Sequence, residues 1–362
     1  MDNPYRHRGP LTQPALFYGR KGLITRVYSR IGVDRPQSIS IVGEPKIGKS
    51  SLLRILYHEQ TRQQYLDDPH GFVYALIALK EEWVDRPAAF FRLLLEKVQA
   101  QESTLAEAVI EPSYDGIGRL AEALKNTEKK LILFLDDFHV ITQNEHFPVE
   151  FFSFLRSVAS HYNVAYITTS HEELQKLCVS RAVGESPFFN IFTNVTLKPF
   201  TPEELAQLVT EPAAQFGVSL QPYLDIIVDL AGYFPYLDQI ACERLFALKP
   251  SGDKLESSVL NDLRAHVLTQ VHPFYQSIWE SFNQQEREIC RAIFSNNGSL
   301  APQVEFVARN LQRRGYLAHE NGAYRFFCSS FRLFVAEQWG FEASWEEGGK
   351  GVLGWFKSMW HR

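Results

Sequence analysis

The first two hundred residues alternate short apolar runs, rich in β-branched residues, with longer stretches of helical periodicity. Continuous apolar runs are typical of strands covered on both faces, because a strand with one face in water alternates apolar and polar residues. Helical stretches between such runs predict crossover connections and therefore a parallel sheet. The predicted strands are residues 39–43, 72–79, 131–136, 164–170 and 192–197. The pattern predicts an α/β core over residues 1–200.

A helical pattern replaces the strands in the next fifty residues. Thr201, Pro202 and Glu204 form a helix start. A hydroxyl stands at the cap, proline at the first helical position, and a carboxylate three residues after the cap can reach back to the cap amide. We predict a helical lid over residues 201–254, interrupted at residues 232–235.

The elements after residue 255 follow a different order. The pattern predicts helix, helix, strand and strand for residues 284–294, 304–314, 316–317 and 324–327. This order is typical of a winged-helix domain, which we place at residues 255–340. The complete prediction is an α/β protein in which a parallel sheet is followed by a helical lid and a C-terminal winged helix.

Residues 341–362 form a separate aromatic tail. On a helix, one face of the tail would carry Val352, Trp355, Phe356, Met359 and Trp360. About 11 residues at ~1.5 Å each are too few to span a bilayer. Three roles stay open for this amphipathic segment: it folds back onto the protein, fits the groove of a partner, or lies on an anionic membrane surface.

Composition and charge narrow the class of protein. The 362 residues are 45% apolar and 22% charged, as in ordinary globular proteins, and the net charge of −5 argues against a protein that coats nucleic acid. No apolar run approaches the ~20 residues of a membrane span, and the N-terminus lacks the core of a secretory signal, so we expect a cytoplasmic protein. The four cysteines are too far apart to indicate a zinc site or a disulfide framework.

A candidate phosphate-binding loop follows the first predicted strand. It consists of Gly43, Glu44, Pro45, Lys46, Ile47, Gly48, Lys49 and Ser50, and it matches GxxxxGK[ST] at every fixed position. Glycines let backbone amides wrap a phosphate, and the helix that follows directs its positive end at the same anion. We expect Lys49 to neutralise the β and γ phosphates, Ser50 to bind Mg²⁺ and Ser51 to contact the α phosphate.

Two carboxylates end the third predicted strand. Asp136 follows five apolar residues, at the position from which an acid can bind the Mg²⁺ of a P-loop site. Asp137 stands where hydrolytic enzymes of this class place a water-activating carboxylate, usually a glutamate. Aspartate is one methylene shorter, so its reach to the attacking water is reduced and we expect slow hydrolysis.

With these two motifs in place, the sequence resembles the STAND branch of the AAA+ P-loop ATPases and, through it, the archaeal origin-recognition ATPases. Residues 17–20, which include Tyr18 and Arg20, resemble the FxGR motif that lies across the nucleotide base. Residues 166–170 resemble the sensor-1 strand, so the resemblance assigns Ser170 or Thr169 to the γ-phosphate. Residues 232–236 resemble the GxxPY stretch of the lid, in which Pro235 would close over the adenine.

The resemblance implies a molecular switch that binds ATP and Mg²⁺ and hydrolyses ATP slowly, with nucleotide-dependent self-assembly or signalling to an unidentified protein partner. The resemblance, together with the absence of an NKxD guanine-reading motif, favours ATP over GTP. The alternative is a DNA-binding loader or transposition helper that uses Arg309, Arg313 and Arg314 of the winged helix. Residues 281–340 carry seven Arg and five Glu, 7 − 5 = +2, so we favour a structural or autoinhibitory role for this domain over DNA binding.

Overall fold

The computed structural model describes residues 3–6, 9–102, 111–249, 252, 254–341, 343 and 345. Residues 10–197 form one compact unit, here called the sheet unit. The described residues before Pro10, together with those from Lys198 onward, form a second, the helical unit. The chain therefore starts in the helical unit, builds the whole sheet unit and then returns.

The sheet unit is built on five parallel strands. They are β1 (Ser38–Gly43), β2 (Phe72–Ala78), β3 (Lys130–Asp136), β4 (Val164–Ser170) and β5 (Phe192–Leu197), in the spatial order β2-β3-β4-β1-β5. Each observed boundary lies within one residue of its prediction. The predicted α/β class and the parallel sheet are confirmed.

Helices precede the first strand, connect the five strands and bury the sheet. They are α1 (Lys21–Ile31), α2 (Lys49–Tyr57), α3 (Glu59–Tyr65), α4 (Pro87–Gln99), α5 (Tyr114–Asn126), α6 (His139–Thr142), α7 (Val149–His161) and α8 (Arg181–Gly184). Every residue of β1 and of β4 is buried, as expected for central strands of a doubly covered sheet. Phenylalanines fill one side of the core: the ring of Phe151 packs edge to face on Phe90 at 5.4 Å and on Phe147 at 4.9 Å.

The second part of the helical unit, from Lys198 onward, begins with the predicted capping box. The Thr201 hydroxyl accepts the Glu204 amide N–H, and the Glu204 carboxylate accepts the Thr201 amide N–H, both at 3.1 Å. Helices α9 (Pro202–Ala214), α10 (Leu224–Ala231), α11 (Pro235–Leu248) and α12 (Ser257–Ser281) follow. The break between α10 and α11 requires Gly232, which has φ +72°, and a Cβ there would lie 2.7 Å from the Phe327 ring.

The rest of the helical unit contains α13 (Gln284–Ser295), α14 (Glu305–Arg314), the antiparallel strands β6 (Leu317–Glu320) and β7 (Ala323–Phe326), and α15 (Ser329–Trp339). Helix, helix, strand and strand occur in the predicted order, and the winged-helix interpretation stays a prediction. The apolar face predicted for the tail, from Val352 to Trp360, lies outside the described residues. Within the part of the chain that the structure describes, no helix is long and apolar enough to cross a membrane.

Candidate functional site

The loop of residues 43–50 joins β1 to α2 at the carboxyl edge of the sheet. Two of its residues have left-handed backbones, Lys46 at φ +62° and Gly48 at φ +101°. Gly43 is required by packing, because a Cβ at this position would lie 2.8 Å from the Leu197 carbonyl oxygen. Helix α2 starts at Lys49, so the unpaired amides of its first turn face the loop. This backbone is suited to an anion.

Lys49 turns back into the loop and is buried. Its ammonium donates to the carbonyl oxygens of Gly43 at 2.8 Å and Glu44 at 3.0 Å. Burial lowers the pKa of Lys49 to about 8, against the opposing effect of the nearby carboxylates, Asp137 first among them. The side chain therefore carries its positive charge at pH 7.

Ser50, Asp136 and Thr169 form a hydrogen-bonded set next to the loop. The hydroxyl of Ser50 donates to Asp136 Oδ1 at 3.1 Å, and the hydroxyl of Thr169 donates to the same oxygen. Hydroxyl and carboxylate oxygens are ligands that suit Mg²⁺, which usually binds one or two protein groups and completes its shell with water and phosphate oxygens. The described residues contain no group of three or more His, Cys, Asp or Glu that could hold a metal by themselves. The hydroxyl of Ser50 and the carboxylate of Asp136, which are hydrogen-bonded to each other, are the groups that fit Mg²⁺ and would bind it.

Of the two predicted sensor residues, Thr169 is the one that contacts the acid pair. Its hydroxyl also accepts the main-chain N–H of Asp137 at 2.8 Å. The hydroxyl of Ser170 instead donates to the carbonyl oxygen of Glu172. Both side chains are buried at the end of β4.

Asp137 has two further neighbours that the sequence motifs did not predict. Its backbone is left-handed, at φ +54°, and its Oδ2 lies 3.1 Å from the ammonium of Lys80. Its Oδ1 lies 3.8 Å from Nδ1 of His139. Asp137 is therefore placed between a lysine and an imidazole.

The imidazole of His139 also contacts a second histidine, His171. The rings of His139 and His171 meet edge to face, with centroids 4.6 Å apart. Burial, followed by the positive charge of Lys80, lowers the pKa of His139 to about 4, and burial also lowers the pKa of His171. Lys80, His139 and His171 share a signal that sequence reasoning overlooked: each comes one to three residues after a strand that ends at the loop edge.

The predicted base-contacting residues lie in different parts of the chain. Arg20 directly precedes α1, has a left-handed backbone at φ +61° and is only 9% exposed, whereas Tyr18 is partly buried. Further toward the N-terminus, the Leu11 amide donates to the hydroxyl of Ser51, in the first turn of α2, at 3.0 Å. Pro235 is buried at the first position of α11 in the helical unit. Base contacts by Tyr18, Arg20 and Pro235 stay predictions.

Solved structures share this fold. The Walker-type ATPase of Pyrococcus abyssi has a TM-score of 0.63 at 14% identity, covering 92% of this chain and 99% of that one. The ORC2 protein of Aeropyrum pernix, in its ADPNP-ADP complexes, has a TM-score of 0.60 at 13% identity, covering 92% and 96%. Drosophila ORC bound to DNA has a TM-score of 0.50 at 13% identity, covering 91% and 98%. At these identities the likeness shows the fold, which is that of the P-loop ATPases.

Sequence comparison identifies the family. The family model described as Novel STAND NTPase 2 matches residues 33–299, more than half of the chain. No curated protein matches the chain. The matched residues contain β1 to β5, the loop of residues 43–50, the acid pair and the two histidines. The chain therefore belongs to the Novel STAND NTPase 2 family, and its fold is the α/β P-loop ATPase fold of the STAND and ORC-like proteins that its motifs resemble.

Proposed function

We propose that this protein is an ATP-binding molecular switch that uses Mg²⁺ and hydrolyses ATP slowly. The observation that carries the proposal is the set of Ser50, Asp136 and Thr169 beside the buried ammonium of Lys49. A cation for phosphate next to hard oxygen ligands for Mg²⁺ is the combination that phosphoryl transfer needs. The similar ORC2 protein of Aeropyrum pernix was solved in ADPNP-ADP complexes, which supports a nucleotide as the ligand.

Each residue that the sequence motifs singled out has a proposed role. The amides of the loop and Lys49 hold the β and γ phosphates, and Ser51 contacts the α phosphate. Ser50 and Asp136 hold Mg²⁺, which neutralises charge on the phosphate oxygens when bound. Asp137 positions the attacking water, and Thr169, or Ser170 beside it, contacts the γ-phosphate. Tyr18, Arg20 and Pro235 keep the base contacts that the family resemblance assigns to them.

Slow turnover follows from the surroundings of Asp137. One of its carboxylate oxygens is engaged by Lys80, so the carboxylate must leave an ion pair before both oxygens can face a water molecule. The side chain is also shorter than the glutamate usually found in this position. A long-lived ATP state is what a switch requires, because the bound nucleotide then defines a state that persists.

Nucleotide titration by isothermal calorimetry tests the proposal. We expect Lys49→Ala to weaken ATP binding at least about tenfold, since a charge-assisted contact to phosphate contributes about 1.5–3 kcal/mol. Asp136→Asn should remove the Mg²⁺ dependence of ATP affinity. Lys125→Ala is the matched control, because Lys125 is an exposed lysine in the last turn of α5. Equal ATP affinity in Lys49→Ala and the wild type would contradict the proposal.

A further inference from the structure

His139 is a buried, titratable group to which the proposed function assigns no task. The residue is 7% exposed, and its Nδ1 is one of the buried side-chain atoms without a hydrogen-bond partner in the described part of the chain. A buried polar atom without a partner costs free energy, so a position of this kind needs an explanation. Asp137 Oδ1 lies 3.8 Å away, just beyond hydrogen-bonding distance.

The side chains of Asp137 and His139 are close enough to form a hydrogen bond after a small movement. Asp137 stands in the turn after β3, where the hydrogen bond from its N–H to Thr169 anchors the backbone. His139 is the first residue of α6, two positions further on. A shift of about 1 Å would bring Nδ1 and Oδ1 to hydrogen-bonding distance, and catalytic hydrogen bonds are often long in the free enzyme and tighten with substrate. His171 packs edge to face against the imidazole and holds the plane of the ring.

We propose that Asp137 and His139 act as a pair, in which Asp137 orients the imidazole and His139 accepts the proton of the attacking water. The pairing rests on the proposed ATP hydrolysis and refines it. Because Oδ2 of Asp137 lies 3.1 Å from the Lys80 ammonium, Oδ1 is the oxygen that accepts the Nδ1–H of His139.

The reaction balances with these groups. The water oxygen bonds to the γ-phosphorus while the bond from that phosphorus to the β–γ bridging oxygen breaks, and the bridging oxygen leaves with ADP. The water proton moves to Nε2 of His139 and is later released to solvent, so the products are ADP, phosphate and one proton. The Asp137 carboxylate accepts the Nδ1–H and so stabilises the imidazolium.

The charges around the ring are consistent with this role. Burial lowers the pKa of His139 most, Lys80, His171 and Lys49 lower it further, and Asp136 raises it. The ring is therefore neutral at pH 7 and has a lone pair to offer. The negative charge of bound phosphates would offset the two lysines and make the ring a better proton acceptor at the moment of reaction.

Single-turnover phosphate release, with ATP affinity measured in parallel, tests the pair. We expect His139→Ala to bind ATP like the wild type but to release phosphate about 100-fold more slowly, the usual contribution of a general base. Added imidazole should restore part of this rate, whereas a packing role for the ring would give no such rescue. Asp137→Asn should be equally slow and unaffected by imidazole. The matched control is His146→Ala, at an exposed turn, with the wild-type rate and no response to imidazole.

A second measurement covers the case in which His139→Ala does not fold. In the wild type, the imidazole resonance of His139, assigned by its loss in His139→Gln, should shift on addition of Mg²⁺ and ADPNP and shift less in Asp137→Asn. Wild-type phosphate release by His139→Ala, or an imidazole resonance indifferent to both changes, would overturn the pair alone. A wild-type protein that binds no ATP would overturn the proposed function as well.

Discussion

At the scale of single residues, the contact between Lys80 and Asp137 predicts how a substitution of Lys80 changes the rate of phosphate release. Their side chains are 57% and 21% exposed, so solvent screens the ion pair and its strength is about 0.2–1 kcal/mol. We expect Lys80→Met to release the carboxylate and to raise the rate of phosphate release by at most about fivefold, the rate equivalent of that energy. Lys97→Met, which breaks an ion pair with Glu82, is the control. A slower Lys80→Met would show instead that Lys80 helps to bind phosphate.

A second residue predicts how stability changes with pH. Asp238 of α11 is fully buried, its two carboxylate oxygens are among the buried atoms that lack a hydrogen-bond partner in the described residues, and burial raises its pKa well above the usual value. Because folding raises this pKa, ionisation of Asp238 lowers the stability only above the unfolded pKa of about 4, and the stability falls as the pH rises from there toward the folded pKa.

Replacement of Asp238 by asparagine removes this ionisation. We expect Asp238→Asn to raise the free energy of unfolding at pH 8 more than at pH 5, since each unit of raised pKa corresponds to about 1.4 kcal/mol at high pH. Urea denaturation of both proteins at the two pH values measures the difference. Asp229→Asn is a useful comparison, because the pKa of Asp229 is also raised by burial but its carboxylate accepts the hydroxyl of Ser329. The same gain at pH 5 and pH 8 would contradict the expectation.

At the scale of elements, the strands could be predicted because a doubly covered strand leaves a continuous apolar run in the sequence. The acid pair was also predictable, since Asp136 ends such a run. Lys80 and His171 were not, because their meeting with Asp137 and His139 depends on β2 and β4 lying on either side of β3, a strand order that no local pattern records. The choice between Thr169 and Ser170 depends on strand parity, since adjacent residues point to opposite faces.

The contacts of the arginines in helix α14 argue against the DNA-binding alternative. Arg314 is turned inward: its guanidinium lies 2.8 Å from the buried carboxylate of Glu286 and over the ring of Phe282. Arg309 is paired with Glu305 at 2.7 Å, which leaves Arg313 as the more available cation of the three predicted ones. An exposed face with so few cations is poorly suited to a phosphate backbone.

We therefore expect weak binding of duplex DNA. If the two arginines of α14 other than the inward-turned Arg314 each neutralise one phosphate, a plot of log K against log salt concentration should have a slope of about −1.8. Fluorescence anisotropy with a labelled duplex measures this slope for the wild type, for Arg313→Glu and for the control Arg92→Glu, which changes an exposed arginine of α4. A steep slope that Arg313→Glu abolishes and Arg92→Glu does not would favour the loader or transposition-helper function.

At the scale of the whole molecule, the chain passes between its two units twice. Its first described residues belong to the helical unit: the Tyr5 hydroxyl donates to the Val209 carbonyl, and its ring packs on Phe246. A few residues later, the Leu11 amide is hydrogen-bonded to Ser51 at the start of α2. A change at the loop thus has two covalent routes to the helical unit, through residues 9–10 and through residues 197–198.

If the proposed switch function holds, the bound nucleotide should change the surface that a partner binds, and a second copy of the chain is the simplest partner to test. We expect the mass measured by light scattering to rise with Mg²⁺ and ADPNP relative to ADP, since only the former supplies a γ-phosphate to Lys49 and Thr169. Lys49→Ala should keep the mass of the ADP state with either nucleotide, and Lys125→Ala should behave like the wild type. The same mass with ADP, ADPNP and no nucleotide would exclude self-assembly as the output. The function would then depend on a different protein partner, whose affinity for this chain should differ between the two nucleotides because binding free energies are coupled reciprocally.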